Sequence, residues 1–247
     1  MSRDHLIQAI MRGPTPTGEH ARDYDSPIER TLAYLLNKYR ETGAGRNPDG
    51  TVADSDKEPT YLAAQIPLRT FLSDGFRGDL GMLHSDVTVL FEADGKEHHQ
   101  DKVYEDLRTA AIFEDGLIDH MFRFSGTMLH HSPEDALYLT QQVLPQLFLN
   151  SANHPFRMLS TPTAQEVARD LHPGCGPVHL EYEAPIETND YDDDGNSVYR
   201  PCLFTFTYVP RAAPTRRVGA YMDVIGRYRP PHITAARHLI EQELGPQ

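Results

Sequence analysis

Residues Phe76 to Phe124 read FRGDLGMLHSDVTVLFEADGKEHHQDKVYEDLRTAAIFEDGLIDHMFRF. Within them, Val87-Thr88-Val89-Leu90-Phe91 is a β-branched and aromatic run of the kind that favours a strand. It delivers two carboxylates, Glu92 and Asp94, and then breaks at Gly95. Side chains two residues apart on a strand share a face, so the spacing sends both acids the same way. Lys102 to Glu114 sets Val103, Leu107, Ala110 and Ala111 along one side of a helix, which Gly116 ends. Ile118 to Phe124 reads as the next strand. Strand, helix and strand in this order predict an α/β core with a mixed sheet.

Working outward, Tyr61 to Leu72 and Phe76 to Leu83 form an expected strand pair, with Asp74-Gly75 as its turn. Upstream, Ser26-Pro27-Ile28-Glu29 opens a helix that runs to about Arg40 with Ile28, Leu32, Leu35, Leu36 and Tyr39 on one face. Ser26 suits the N-cap, Pro27 the first helical position and Glu29 the third. Residues 1–22 contain the breaker cluster Gly13-Pro14-Thr15-Pro16-Thr17-Gly18 and are expected to be a flexible leader. Downstream, Ser132-Pro133-Glu134-Asp135 starts another capped helix that extends to about Pro145. The prolines and glycines of 151–176 suggest a linker, which separates a core of 23–150 from a small C-terminal α+β extension at 177–247. Strand-like runs at 178–183, 198–209 and 216–228 and a helix near 232–244 make up that extension.

The chain has 247 residues, 39% hydrophobic and 24% charged, which is ordinary for a globular protein. No apolar run approaches the roughly 18 residues of a membrane helix, and the N-terminus lacks the pattern of a secretion signal. No membrane partner is therefore expected. Two cysteines, Cys175 and Cys202, without CxxC spacing, indicate neither a disulfide scaffold nor a cysteine zinc site. A cytoplasmic location is the default expectation. With 23 basic and 36 acidic residues, the net charge of −13 argues against a simple nucleic-acid coat.

Charges at the end of a buried strand are costly unless something pairs with them. A divalent cation is one such partner. Asp79, on the preceding strand, can reach the same sheet end as Glu92 and Asp94, and oxygen ligands on rigid strands suit Mg²⁺. Lys96 continues the two-residue spacing and could neutralise a phosphate. A plainer reading makes Asp94-Gly95 a turn and the acids solvated strand-end residues.

The order Gln65-Ile66-Pro67, Phe76-Arg77-Gly78-Asp79-Leu80, Val89-Leu90-Phe91-Glu92-Ala93-Asp94-Gly95, His98/His99, Asp106-Leu107-Arg108 and Phe122-Arg123-Phe124 resembles one branch of the PD-(D/E)XK nuclease superfamily. That branch holds restriction-endonuclease-like domains related to the very-short-patch repair endonucleases. The likeness covers about residues 26–148. It implies a restriction-endonuclease-like mixed β-sheet flanked by helices, a Mg²⁺-dependent deoxyribonuclease activity with Mn²⁺ able to substitute, and DNA as partner. It also implies that Asp79 and Glu92 bind the metal, with Asp94 beside them at the place where many members carry a catalytic lysine. Glu29 matches an acid that several families supply from the first helix. Asp86 competes with Asp79 for the first acid, and His98 and His99 compete for the histidine of the motif, a candidate proton donor.

Among supporting residues, Lys102, Arg108 and Arg123 are candidate phosphate contacts. Arg108 alternatively orients a catalytic acid or forms a helix-surface ion pair, and Arg123 alternates outward as an exposed structural residue. Cutting both strands of a duplex needs two centres, so a homodimer or a partner protein is an expectation. A catalytically inactive nuclease-fold module that binds DNA or protein is the alternative. Asp190-Tyr191-Asp192-Asp193-Asp194-Gly195 imitates the start of a calcium loop, but Pro201 stands where the bidentate Glu belongs, so a polar hairpin tip is expected.

Overall fold

Alternating apolar residues make both faces of a central sheet sticky, and helices cover each. The chain is seen in a computed structural model that describes residues 1–16, 26–42, 58–70, 72–73, 75–95, 102–149, 153–192 and 194–211, with the backbone alone for 102–107 and 153–154. The helices are α1 (Arg3–Arg12), α2 (Pro27–Tyr39), α3 (Lys102–Glu114), α4 (Gly126–His131), α5 (Pro133–Val143), α6 (Asn153–Leu159) and α7 (Pro162–Val167). The strands are β1 (Thr60–Leu68), β2 (Phe76–His84), β3 (Val87–Asp94), β4 (His120–Ser125), β5 (Val178–Tyr191) and β6 (Ser197–Pro210). They form one six-stranded sheet in the order β1-β2-β3-β4-β6-β5. Only β3 and β4 are parallel, joined through α3; the other neighbours are antiparallel.

The protein is thus α/β with a mixed sheet flanked by helices. Val89, Phe91 and Ala93 of β3 and Phe122 and Phe124 of β4 face a core shared with α2, α4, α5, α6 and α7. Leu90 and Met121 face the other core, shared with α1 and α3. The amphipathic stripe expected of α2 is present, with Leu32, Leu35, Leu36 and Tyr39 buried and Ser26 capping the Glu29 N–H.

Three expectations are corrected. Residues 1–22 are not a flexible leader throughout: Ser2 caps α1, whose Leu6 and Ile10, one turn apart, are buried where the helix packs on β1 and β2. Residues 151–176 do not read as a linker, since 153–159 and 162–167 are helical and Phe156 and Ala164 join the main core. The run 178–209 does not build a separate sheet, because β6 pairs with β4 from His120↔Pro210 to Phe124↔Phe206. The strand at 216–228, the helix near 232–244 and Asp74 lie outside the described residues. At the hairpin tip, the Asp192 carboxylate accepts the N–H groups of Asp194 and Asn196, as a polar turn does. No described helix is long and apolar enough to cross a membrane.

Candidate active site

Asp79 lies where the sheet changes phase. Strand side chains alternate, so residues an even number apart share a face. Yet Leu62 packs with α2 while Ile66 and Leu68 pack on the α1/α3 side, and Leu80 and Phe76 are divided the same way. Both strands roll over between these positions. The β1–β2 register passes from Ala64↔Leu80 to Ile66↔Gly78, skipping Gln65 and Asp79. Gln65 has φ +54° in the middle of a strand, a left-handed backbone rare for a side chain of this kind. Next to it Gly78 tolerates a close pass, since a Cβ there would lie 2.3 Å from Leu90 Cδ1.

On its other side, the β2–β3 ladder runs from His84↔Val87 to Leu80↔Phe91. There a side chain takes over the pairing: the Ala93 N–H donates to Asp79 Oδ2 at 2.8 Å. This contact anchors Asp79 at the end of β3, beside Glu92. Burial first, then the charge of Glu92, pushes the Asp79 carboxyl up to about 8; Glu29 adds to the rise, while the Ala93 N–H and Arg108 oppose it. Glu92 is 5% exposed, and burial raises its carboxyl too, against the pull of Arg108 and Arg123.

The remaining acids are held by named partners. Arg108 Nη2 donates to Glu92 Oε1 at 2.8 Å and to the Arg77 carbonyl at 2.6 Å. Arg123 grips Asp94 in a two-pronged pair, Nε to Oδ2 at 3.0 Å and Nη2 to Oδ1 at 2.9 Å. Parallel pairing of β3 and β4 sets Glu92 directly opposite Arg123, which brings these side chains to one face. Glu29, 6% exposed on α2, takes one bond from Ser26 Oγ at 3.0 Å and another from Gln65 Nε2 at 2.8 Å.

The structure therefore brings Asp79, Glu92, Asp94, Glu29, Arg108 and Arg123 to the adjoining ends of β2, β3 and β4 and the start of α2. Asp86, the competing first acid, sits in the β2–β3 turn at the far end of those strands, where its carbonyl accepts from Arg3. Arg123 is not an outward-pointing residue; it is half-buried on Asp94. Arg108 has the contact needed to orient a catalytic acid. Lys96, His98 and His99 lie outside the described residues, and for Lys102 only the backbone is described. Sequence reasoning placed Gln65 in the motif order but assigned it no role of its own; a further signal was an amide set among apolar residues of a strand.

Among the described residues, no three His, Cys, Asp or Glu side chains are grouped to hold a metal ion. The expected trio of Asp79, Glu92 and Asp94 is not among such groups, and Asp94 is paired with Arg123. Asp79 and Glu92 nonetheless fit Mg²⁺, which commonly takes one or two carboxylates and keeps its waters. Comparisons with protein-family models, with curated proteins and with solved structures find no match to this chain.

Proposed function

We propose that the chain is a Mg²⁺-dependent DNA endonuclease of restriction-endonuclease-like fold, which hydrolyses phosphodiester bonds with water. The observation that carries this reading is the buried acid cluster at a break in the sheet, with Asp79 bonded to the Ala93 N–H and electrostatically coupled to Glu92 and Glu29. Structural acids are normally neutralised where they are buried, and perturbed carboxyls gather at functional sites. Asp79 and Glu92 would hold the ion, which when bound supplies charge for the scissile phosphate and an acidified water.

The chain's own groups do the rest. Ala93 fixes one Asp79 oxygen. Arg108 fixes one Glu92 oxygen, leaving the second carboxylate oxygen to point elsewhere. Arg123 holds Asp94 so that its charge stays beside Glu92 without rotating. Glu29 supplies a further acceptor for a water proton from the α2 side. Lys96 and Lys102 remain proposed phosphate contacts from their place in the sequence, and His98 a proposed proton donor; the preference for DNA rests on resemblance alone.

The test is cleavage of supercoiled plasmid with Mg²⁺ or Mn²⁺ by the wild type and by Glu92→Ala. Loss of a mere outer partner of a metal ligand costs about 10–100-fold, so E92A is expected to lose at least that much. Equal nicking by E92A removes Glu92 from the mechanism. The net charge of −13 and two arginines turned inward onto carboxylates favour the second reading, a nuclease fold without turnover that binds DNA or a partner protein. Absence of cleavage by wild type with either metal selects it.

A further inference from the structure

We propose that Gln65 is a positioning residue, whose side-chain amide aims the Glu29 carboxylate of α2 at the cation-binding pair Asp79 and Glu92; this rests on the metal-dependent reading above. Gln65 carries two structural penalties at once. Its backbone adopts φ +54° inside a strand, and its Oε1 is shut off from solvent with no partner among the described residues. Either is unusual in a native interior. Both follow from one geometric requirement, that Nε2 reach Glu29 Oε2 at 2.8 Å.

In this pair the amide nitrogen donates and the Glu29 oxygen accepts. With Nε2 committed to Glu29, Oε1 is left over. The left-handed turn at Gln65 coincides with the rollover of β1 and β2, directly across from Asp79. Counted on from Leu62 and Ala64, a regular strand would send the position 65 side chain to the α1/α3 side. The left-handed residue instead turns its amide to Glu29, whose other oxygen is pinned by Ser26 at 3.0 Å. Gln65 and Ser26 together hold both carboxylate oxygens of Glu29, and that carboxylate lies close enough to Asp79 for its charge to be felt there.

A hydrogen-bonded strut between β1 and α2 would do as well with the amide and the carboxylate exchanged. A positioning residue would not, because the charge would move from α2 to β1. The experiment compares wild type, Q65E, E29Q and the exchanged pair E29Q/Q65E by thermal melting, by calorimetric titration with Mn²⁺, and by plasmid cleavage. Q65E alone sets two carboxylates against each other and is expected to melt lower; the exchanged pair restores one amide-to-carboxylate bond and recovers the wild-type melting temperature. It is nonetheless expected to bind Mn²⁺ at least about tenfold more weakly, the scale seen for partners of metal ligands, and to lose cleavage in kcat with KM for DNA held.

An exchanged pair that binds Mn²⁺ and cuts like wild type overturns the proposal and leaves a strut. Failure of the pair to recover its melting temperature overturns it as well. If wild type binds Mn²⁺ without cutting, the hydrolase reading fails alone and Mn²⁺ affinity decides about Gln65. If wild type takes up no Mn²⁺, both fall.

Discussion

Half-buried beside Glu92 and Glu29, the Asp79 carboxyl is pushed from the ordinary 3.8 up to about 8, by loss of water first and by the neighbouring charges next. The folded chain holds the Asp79 proton up to about pH 8, whereas the unfolded chain releases it near 4. Between those values the folded state binds more protons, so stability falls as pH rises, and the fall ends once Asp79 ionises near 8. Asp79→Asn keeps an oxygen to accept the Ala93 N–H but cannot ionise. Its stability is therefore expected to be flatter from pH 5 to 8, with an advantage over wild type at pH 8 on the order of a few kcal/mol. Chemical denaturation of both proteins at several pH values, without divalent cations, measures the gap. A gap that does not widen with pH would show that Asp79 is ionised throughout.

At the scale of elements, α1 shows how a short amphipathic segment is missed. Ten residues with two buried apolar positions, Leu6 and Ile10, give little periodicity to read, and the Gly13-Pro14 stop draws attention away from the helix before it. Its stability comes from the apolar cluster it joins, with Ala63, Ile66, Leu83 and Phe113. Leu6→Ala is expected to cost about 2–5 kcal/mol, as for other buried leucines, where a leader would register no change in urea midpoint. By contrast α2, β3 and α3 were legible, since caps, β-branched runs and a helical stripe are local signals. Asp79, Glu92, Asp94 and Glu29 were also legible, as acids at the ends of such elements. The rollover at Gln65 was not, because it is defined by which core each neighbour enters. The pair Arg123–Asp94 was hidden for a similar reason: it is a fact of register between β3 and β4, and charge spacing along one strand does not encode it. Arg108 was legible as a residue that orients a catalytic acid, and the packing of α3 decides that the acid is Glu92.

For the molecule as a whole, the order β4-β6-β5 decides where folding cooperativity ends. A boundary drawn near residue 150 would pass between strands that share one hydrogen-bonded ladder. Phe122 and Phe124 of β4 lie against Phe206 of β6 at ring separations of 5.9 and 5.8 Å, and Tyr208 stacks on Phe122 at 5.0 Å. A second tie runs from the hairpin to the helical layer. Asp135 of α5, fully buried, accepts the Tyr182 hydroxyl of β5 and both the N–H and hydroxyl of Thr161 ahead of α7. Ending the chain at residue 150 would strip the cover from two phenylalanines and take from a buried carboxylate its Thr161 and Tyr182 donors, a penalty of about 1–3 kcal/mol for the unpaired acid alone. It would add to apolar exposure of about 25 cal/mol per Å². Against the 5–15 kcal/mol by which domains are stable, a chain ending at residue 150 is expected to show no cooperative thermal transition by calorimetry, while the full chain melts in one. A truncated chain that unfolds sharply, with near-ultraviolet circular dichroism like that of the intact protein, would restore the separate core; its acid cluster could then be studied without the hairpin.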